Sequence, residues 1–203
     1  SAPSPDYYGV DRPGDDLYAN SIVALDLNTG AVRWHFQHVR HDLWDYDTPA
    51  QPILFQWEKN GESIPALAQV TKQSFVFVLN RLTGESLWEI TEHPTPPSDI
   101  PGERTALTQP KPIAPPPLVD SFLMPGSAWG LTPWDRGQCR KQITALNNLG
   151  LFTPISEQLS LMYPGSLGGA NWGGGALVAD SGVLLVNINN TAFTGQLIPT
   201  GTG

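Results

Sequence analysis

"ALDLNTGAVRWHF", Ala24 to Phe36, and "VLNRLTGESLWEI", Val78 to Ile90, superimpose without a gap at a spacing of 54 residues. Leu25 falls on Leu79, Thr29-Gly30 on Thr83-Gly84 and Trp34 on Trp88. Each copy reads as strand, tight turn, strand: alternating apolar residues run into Asn28-Thr29-Gly30 or Leu82-Thr83-Gly84, then into an aromatic strand. Glycine ends the turn because a hairpin bulge needs a positive φ there. The Trp, four residues on, can fold its ring back over a neighbouring hairpin. A hairpin recurring every ~40 to 50 residues is the signature of a β-propeller blade.

A third hairpin, Gly175 to Asn189, turns at Asp180-Ser181-Gly182 but lacks the Trp. Between the second and third lies "HPTPPSDIPGERTALTQPKPIAPPPLVD", His93 to Asp120, too rich in Pro to be strand interior. It reads as a long surface excursion with polyproline character. At one blade per ~50 residues the chain makes about four blades. An open arc of that size leaves sheet faces and edges uncovered, so the chain is expected to be part of a longer polypeptide.

Composition agrees with a β-rich, loop-rich chain. Twenty Gly and twenty Pro in 203 residues disfavour helix interiors. A formal charge of -8 excludes a phosphate-binding surface built on clustered Lys and Arg, hence nucleic acid as partner, and a basic membrane-surface patch equally. The uncharged stretch around Gly173 to Ile188 is broken by Asp180 and Gly182 and is too short to span a bilayer. The opening "SAPSPDYYGV" has no basic start followed by an apolar run, as expected of a mature protein or of an excised piece. A single cysteine, Cys139, forbids a disulfide within the chain and a cysteine-based metal cluster. With no His or acidic neighbour in "GQCRKQ", it reads as a buried small hydrophobe rather than a nucleophile.

Three short stretches carry chemistry. "HDLWDYD", His41 to Asp47, places three carboxylates and a Trp in seven residues, in a chain with nineteen acidic residues. A turn needs one or two Asp, so the excess points to a cation or to a proton to be moved. Just before it, "HFQHVRH" spaces His35, His38 and His41 by three. In a strand that spacing sends His35 and His38 to opposite faces, so they read as ordinary strand and loop histidines rather than a zinc site. His41 adjoins the acidic loop and is positioned to contact a substrate. "GSLGGANWGGG", Gly165 to Gly175, has neither G-x-G-x-x-G nor G-K-[ST], and no helix-like segment follows it. It is a close-approach loop before a strand rather than a phosphate cradle.

Taken together, "YANSIVALDLNTGAVRWHFQHVRHDLWDYDTPAQP", "VTKQSFVFVLNRLTGESLWE" and "YPGSLGGANWGG" resemble the quinoprotein dehydrogenases that use pyrroloquinoline quinone (PQQ), in particular the glucose and quinate dehydrogenase branch. "TQPKP", "SAWGLTPWDRGQCR" and "GLFTP" extend the resemblance nearly end to end. It implies an all-β fold, part of an eight-bladed propeller with Trp-docking motifs, in which residues 1–203 form a partial domain incomplete at both ends. It implies oxidation of a sugar or polyol hydroxyl by hydride transfer to the quinone, with Asp45 as general base. Asp42 and Asp47 are expected to order the loop, by Asx-turn bonds or by pairing with Arg40.

By the same resemblance Lys72, 27 residues after Asp45, contacts the reactive oxygens of the quinone and stabilises developing negative charge. Its pairing with Asp45 would keep that carboxylate ionised at neutral pH. Asn171 would hydrogen-bond the cofactor and Trp172 would line its pocket; a packing Trp in a blade connection is the alternative for Trp172. A calcium ion would polarise the quinone carbonyl, touched by Asp45 but held by a Glu and an Asn upstream of this sequence. The chain alone is therefore expected to be inactive. The implied setting is the bacterial periplasm, with electrons passing to a quinone or soluble carrier and any membrane anchoring outside this chain. The alternative is a non-catalytic propeller scaffold that binds protein partners, which would have no use for Asp45, Lys72 and Asn171 together.

Overall fold

The computed structural model describes residues 1–200. The two repeats close the same turn with the same bonds. Gly30 N–H donates to Asp26 O and Gly84 N–H to Asn80 O, each at 2.8 Å, while Asp26 N–H and Asn80 N–H donate to Ala31 O and Glu85 O, also at 2.8 Å. The Asp26 and Asn80 side chains accept backbone N–H groups two residues on, from Asn28 at 3.0 Å and Leu82 at 2.9 Å. These are Asx turns, which is why Asp or Asn opens both copies.

The flanking strands differ. The first copy is a full antiparallel hairpin of β1 (Ser21–Leu25) and β2 (Val32–Gln37), with a register shift at Ala24/Leu25. In the second copy only an isolated Leu79–Ser86 bridge follows the turn. The preceding strand instead completes a three-stranded sheet, β3 (Ile53–Lys59), β4 (Glu62–Val70) and β5 (Val76–Asn80). Asn60 and Gly61, at φ +54 and +83, turn β3 into β4, a two-residue hairpin loop whose Asn-Gly chemistry is legible in the sequence.

The Pro-rich excursion does contain strand. β6 (Ile90–Pro94) pairs with β7 (Thr108–Pro112) in a two-stranded ribbon. A ribbon with two free edges lets Pro94, Pro110 and Pro112 turn their missing N–H outward, so the ladder loses nothing. A helix also stands against the expectation of strands and loops alone: α1 (Pro133–Ala145) begins in a capping box in which Thr132 and Asp135 satisfy each other's backbone N–H, with Pro at the start. Only Ile143 is buried on it. Cys139 lies on this helix and is half-exposed, not buried. The remaining strands are β8 (Ser160–Met162) with β11 (Phe193–Gly195), and β9 (Gly175–Val178) with β10 (Val183–Val186). The last pair turns through Ala179–Ser181 and Gly182, as the third hairpin predicted.

Strand β5 buries both faces. Phe77 and Leu79 join Trp44, Tyr46, Phe75 and Phe152 in one core, while Val76 and Val78 join Ala68, Val70 and Ala170 in another. Sheet alternation divides the strand between the two layers. The Trp34 indole lies on the turn of the second repeat: a Cβ at Gly84 would stand 2.6 Å from its ring, and its Nε1 donates to Arg81 O at 3.2 Å. Gly84 is required there both for its φ of +78 and for that contact. Trp88, its counterpart, packs against Trp57 instead, with centroids 5.3 Å apart. Among the described residues no helix is long and apolar enough to cross a membrane.

Candidate functional site

The acidic loop is built from the inside out. Leu43, Trp44 and Tyr46 are fully buried. Trp44 Nε1 donates to Thr153 O at 2.8 Å, and the Tyr46 hydroxyl donates to Pro164 O at 2.6 Å. Asp42, also buried, is the staple of the loop. Its carboxylate accepts from Trp44 N–H and Tyr46 N–H, both at 2.9 Å, and from Asn20 Nδ2 at 2.7 Å. Arg12 Nη2 donates to its carbonyl at 2.6 Å. Burial, opposed by these bonds, leaves the Asp42 carboxyl raised to about 6. With Asp42, Trp44 and Tyr46 anchored inward, Asp45 takes a left-handed backbone at φ +56 and stands with Asp47 on the other side of the loop. Asp42 orders the loop as expected, but Arg40 takes no part; it makes a two-pronged pair with Glu92, Nη1 to Oε2 at 2.6 Å and Nη2 to Oε1 at 2.9 Å.

Lys72 sits in the turn between β4 and β5, where Ser74 N–H donates to Thr71 O and Thr71 N–H to Phe75 O, each at 3.0 Å. Its side chain is 7% exposed. The ammonium donates to Asp45 O at 2.8 Å and to Asp45 Oδ2 at 3.2 Å, and it is in contact with Asp47 Oδ1. Asp47 is thus a second carboxylate on the same cation, a role the sequence did not disclose. Burial raises Asp45 above its ordinary carboxylate value, and the opposing pull of Lys72 does not overcome it. The ion pair expected of Lys72 and Asp45 is present, with Lys72 pulling the carboxyl down against the larger upward push of partial burial. Burial lowers Lys72 in turn, but Asp47 and Asp45 together leave it raised.

The glycine loop docks directly onto this turn. Gly169 N–H donates to Lys72 O at 2.8 Å and Ala170 N–H to Thr71 O at 3.3 Å. A Cβ at Gly168, whose φ is +72, would lie 2.5 Å from the Lys72 Cα, so only glycine permits the approach. Tyr7 joins here: it lies beside Ser166 and within the field of Asp45 and Lys72, and burial raises its hydroxyl above its ordinary value. Asn171 spends its amide on its own loop, donating to Leu167 O at 2.7 Å and accepting Trp172 N–H at 2.8 Å. Trp172 is 84% exposed. With Gly173 to Gly175 it forms one wall of an open cleft of about 730 Å³ whose other wall runs from Pro49 to Leu54, the continuation of the acidic loop.

The histidines stay apart from the site. His41 is fully buried, with Nδ1 2.9 Å from Gly14 O, and cannot contact a substrate. His38 is buried against Phe36 and Phe77 and is lowered to about 4 by burial. His35 meets Tyr18 edge-on. Among the described residues no three His, Cys, Asp or Glu side chains converge as a metal site. Asp45 would thus be a minor contributor to a calcium ion, whose other ligands the family resemblance places upstream of this sequence. The groups of this chain that would meet a quinone are the Lys72 ammonium, the exposed face of Trp172 and the glycine backbone between them.

A half-buried carboxylate on a buried lysine, in a β-fold layered on both sides of one sheet, defines an all-β protein with a polar site at its loops. Residues 1–203 match the family model "PQQ: Glucose/ethanol/alcohol dehydrogenase, beta-propeller domain", and the chain belongs to that family. Quinoprotein glucose dehydrogenase of Escherichia coli is 38% identical over 202 residues, 98% of this chain and 25% of that protein. Quinate/shikimate dehydrogenase (quinone) of Acinetobacter baylyi is 38% identical over 197 residues, 96% of this chain and 24% of the relative. The chain thus spans about a quarter of the length of these relatives. A solved quinohemoprotein alcohol dehydrogenase from Pseudomonas putida HK5 superimposes with a TM-score of 0.56 at 22% identity, covering 93% of this chain and 22% of that one, which supports the fold.

Proposed function

We propose that this chain is about four blades of an eight-bladed quinoprotein propeller, continued on both sides in its parent polypeptide, that oxidises a hydroxyl of a sugar or cyclic polyol. The observation that carries the reading is the Lys72 ammonium lodged under the half-exposed Asp45 carboxylate. A scaffold gains little from such an arrangement, because stripping water from a lysine and two carboxylates costs more than apolar packing of the same volume. The stacking of Trp34 on Gly84 is the contact that would join successive blades around the ring.

PQQ, when bound, supplies the two-electron acceptor for hydride from the substrate carbon. Within this chain, Asp45 accepts the hydroxyl proton of the substrate, helped by burial that raises its basicity. Lys72 presents positive charge beside the reacting groups. Trp172 and Asn171 line the cofactor side, Trp172 with its exposed face. Asp45 would contribute to a calcium ion only alongside ligands from the rest of the parent, and no step is assigned to that ion. The proposed setting is the periplasm, with a membrane quinone or soluble carrier as final acceptor; glucose and quinate lead as substrates because relatives of both names match over nearly the whole chain.

The test reconstitutes the parent polypeptide with PQQ and calcium and follows reduction of an acceptor dye with glucose, quinate and simple alcohols. Turnover that falls roughly 100- to 10,000-fold in Asp45→Asn is expected. Absence of both turnover and PQQ binding in the wild type would defeat the proposal.

A further inference from the structure

Three oxygens surround the Lys72 ammonium, and two of them belong to Asp45. A lysine has three N–H donors and no more. The Asp45 backbone oxygen is fixed by the chain, whereas Asp45 Oδ2, at 3.2 Å, is the longer contact and the one that the proposed chemistry needs. A carboxylate that takes a proton from a substrate must turn from the ammonium to the hydroxyl. Lys72, 7% exposed, would then have a carbonyl and whatever other charge the protein provides.

Asp47 is that charge. Its Oδ1 is buried and makes no well-directed hydrogen bond to any other protein group, so its partner is the ammonium, held by charge rather than by alignment. The alternation of the loop sets this up: Tyr46 points into the core and is bonded to Pro164 O, which leaves Asp45 and Asp47 on the same side. We infer that Asp47 is the standing counter-ion of Lys72, a positioning residue that holds the ammonium in place while Asp45 engages the substrate. This inference rests on the quinoprotein reading of the site.

The exchange also explains why two carboxylates and one lysine share the pocket. With Asp45 alone, each engagement of the substrate would leave a buried ammonium without an anion, a costly state. With Asp47 alone there would be no base. The pair lets the lysine stay charged and stationary while one partner comes and goes, and a stationary cation can orient a cofactor oxygen in the meantime.

The experiment uses the full-length parent with PQQ and calcium and compares the wild type with Asp47→Asn and Asp47→Glu. It reads PQQ affinity from the change in cofactor fluorescence, kcat and KM by dye reduction, and melting by circular dichroism. Asp47→Asn is expected to lower kcat roughly 10- to 100-fold and to weaken PQQ binding several-fold, with little change in substrate KM, and Asp47→Glu is expected to recover most of both. If Asp47→Asn does not fold, Asp47→Asn/Lys72→Gln, which removes the ammonium that has lost one of its two carboxylates, is expected to fold; a double variant that also fails overturns the inference. Asp47→Asn with wild-type kcat and PQQ affinity overturns the inference while leaving the quinoprotein reading intact. A wild type that binds no PQQ overturns both.

Discussion

The loops 41–47 and 165–175 meet at Lys72, yet they are held in opposite ways. The first is anchored by side chains: Trp44 and Tyr46 are fully buried and bonded to distant backbone carbonyls, and the Asp42 carboxylate ties three donors. The second is held through backbone, by Gly169 and Ala170 bonding to Lys72 and Thr71, while its largest side chain, Trp172, is 84% exposed. The acidic loop is thus fixed by the fold, whereas the glycine loop leaves its Trp172 ring uncovered. On the proposed quinoprotein reading, a preorganised carboxylate and an open aromatic surface would be different demands, and the two loops would answer them separately.

The comparison breaks first on stability. Trp44→Ala in the parent should cost about 3–5 kcal/mol in urea unfolding, since it empties a core position and orphans Thr153 O. A second effect concerns the strand that feeds the acidic loop. His38 is buried and lowered to about 4, so its contribution is present above about 6.5 and is lost as pH falls through 4. The wild-type advantage over His38→Gln should therefore shrink by roughly 3 kcal/mol across that interval, as measured by denaturation at several pH values.

Asp42→Asn should cost about 1–3 kcal/mol near neutrality, because one amide oxygen cannot serve the Trp44, Tyr46 and Asn20 donors that two carboxylate oxygens serve. Its pH dependence runs opposite to that of His38. A carboxyl raised to about 6 from 3.8 favours folding increasingly as pH falls between those values, so the wild type should gain on Asp42→Asn there. Smallest of all, Trp172→Ala should change stability by no more than about 0.5 kcal/mol, as expected of an exposed side chain. A large loss in that variant would mean that the aromatic half is structural after all.

The parts of the fold legible in the sequence were those encoded within a few residues. Asp26 or Asn80 and Thr-Gly specify a turn by local bonds, and the structure repeats its backbone bonds and its Asx bond in both copies. The ribbon of β6 and β7 was hidden because its prolines forbid a central strand but not a two-stranded edge. Helix α1 was hidden because it buries only Ile143 and so shows no apolar face; its Thr132–Asp135 box and Pro133 were its one visible mark. In the site, Asp45 and Lys72 came from the family resemblance, and the geometry joins them. Asp47 was placed as a loop-former because its partner is 25 residues away and no local rule couples them. Tyr7 had no signal at all: it reaches Ser166, across most of the chain. His41 was drawn to the substrate by its neighbours in sequence, whereas the fold turns its ring onto Gly14.

The most direct test of this division of labour titrates PQQ into the calcium-loaded parent, with Asp45→Asn and Trp172→Ala in parallel, reading binding by fluorescence and turnover by dye reduction. The account predicts near-wild-type binding with turnover lost in Asp45→Asn, and roughly 2- to 10-fold weaker binding with unchanged melting in Trp172→Ala. Equal loss of binding in both variants, or full binding in Trp172→Ala, would contradict it.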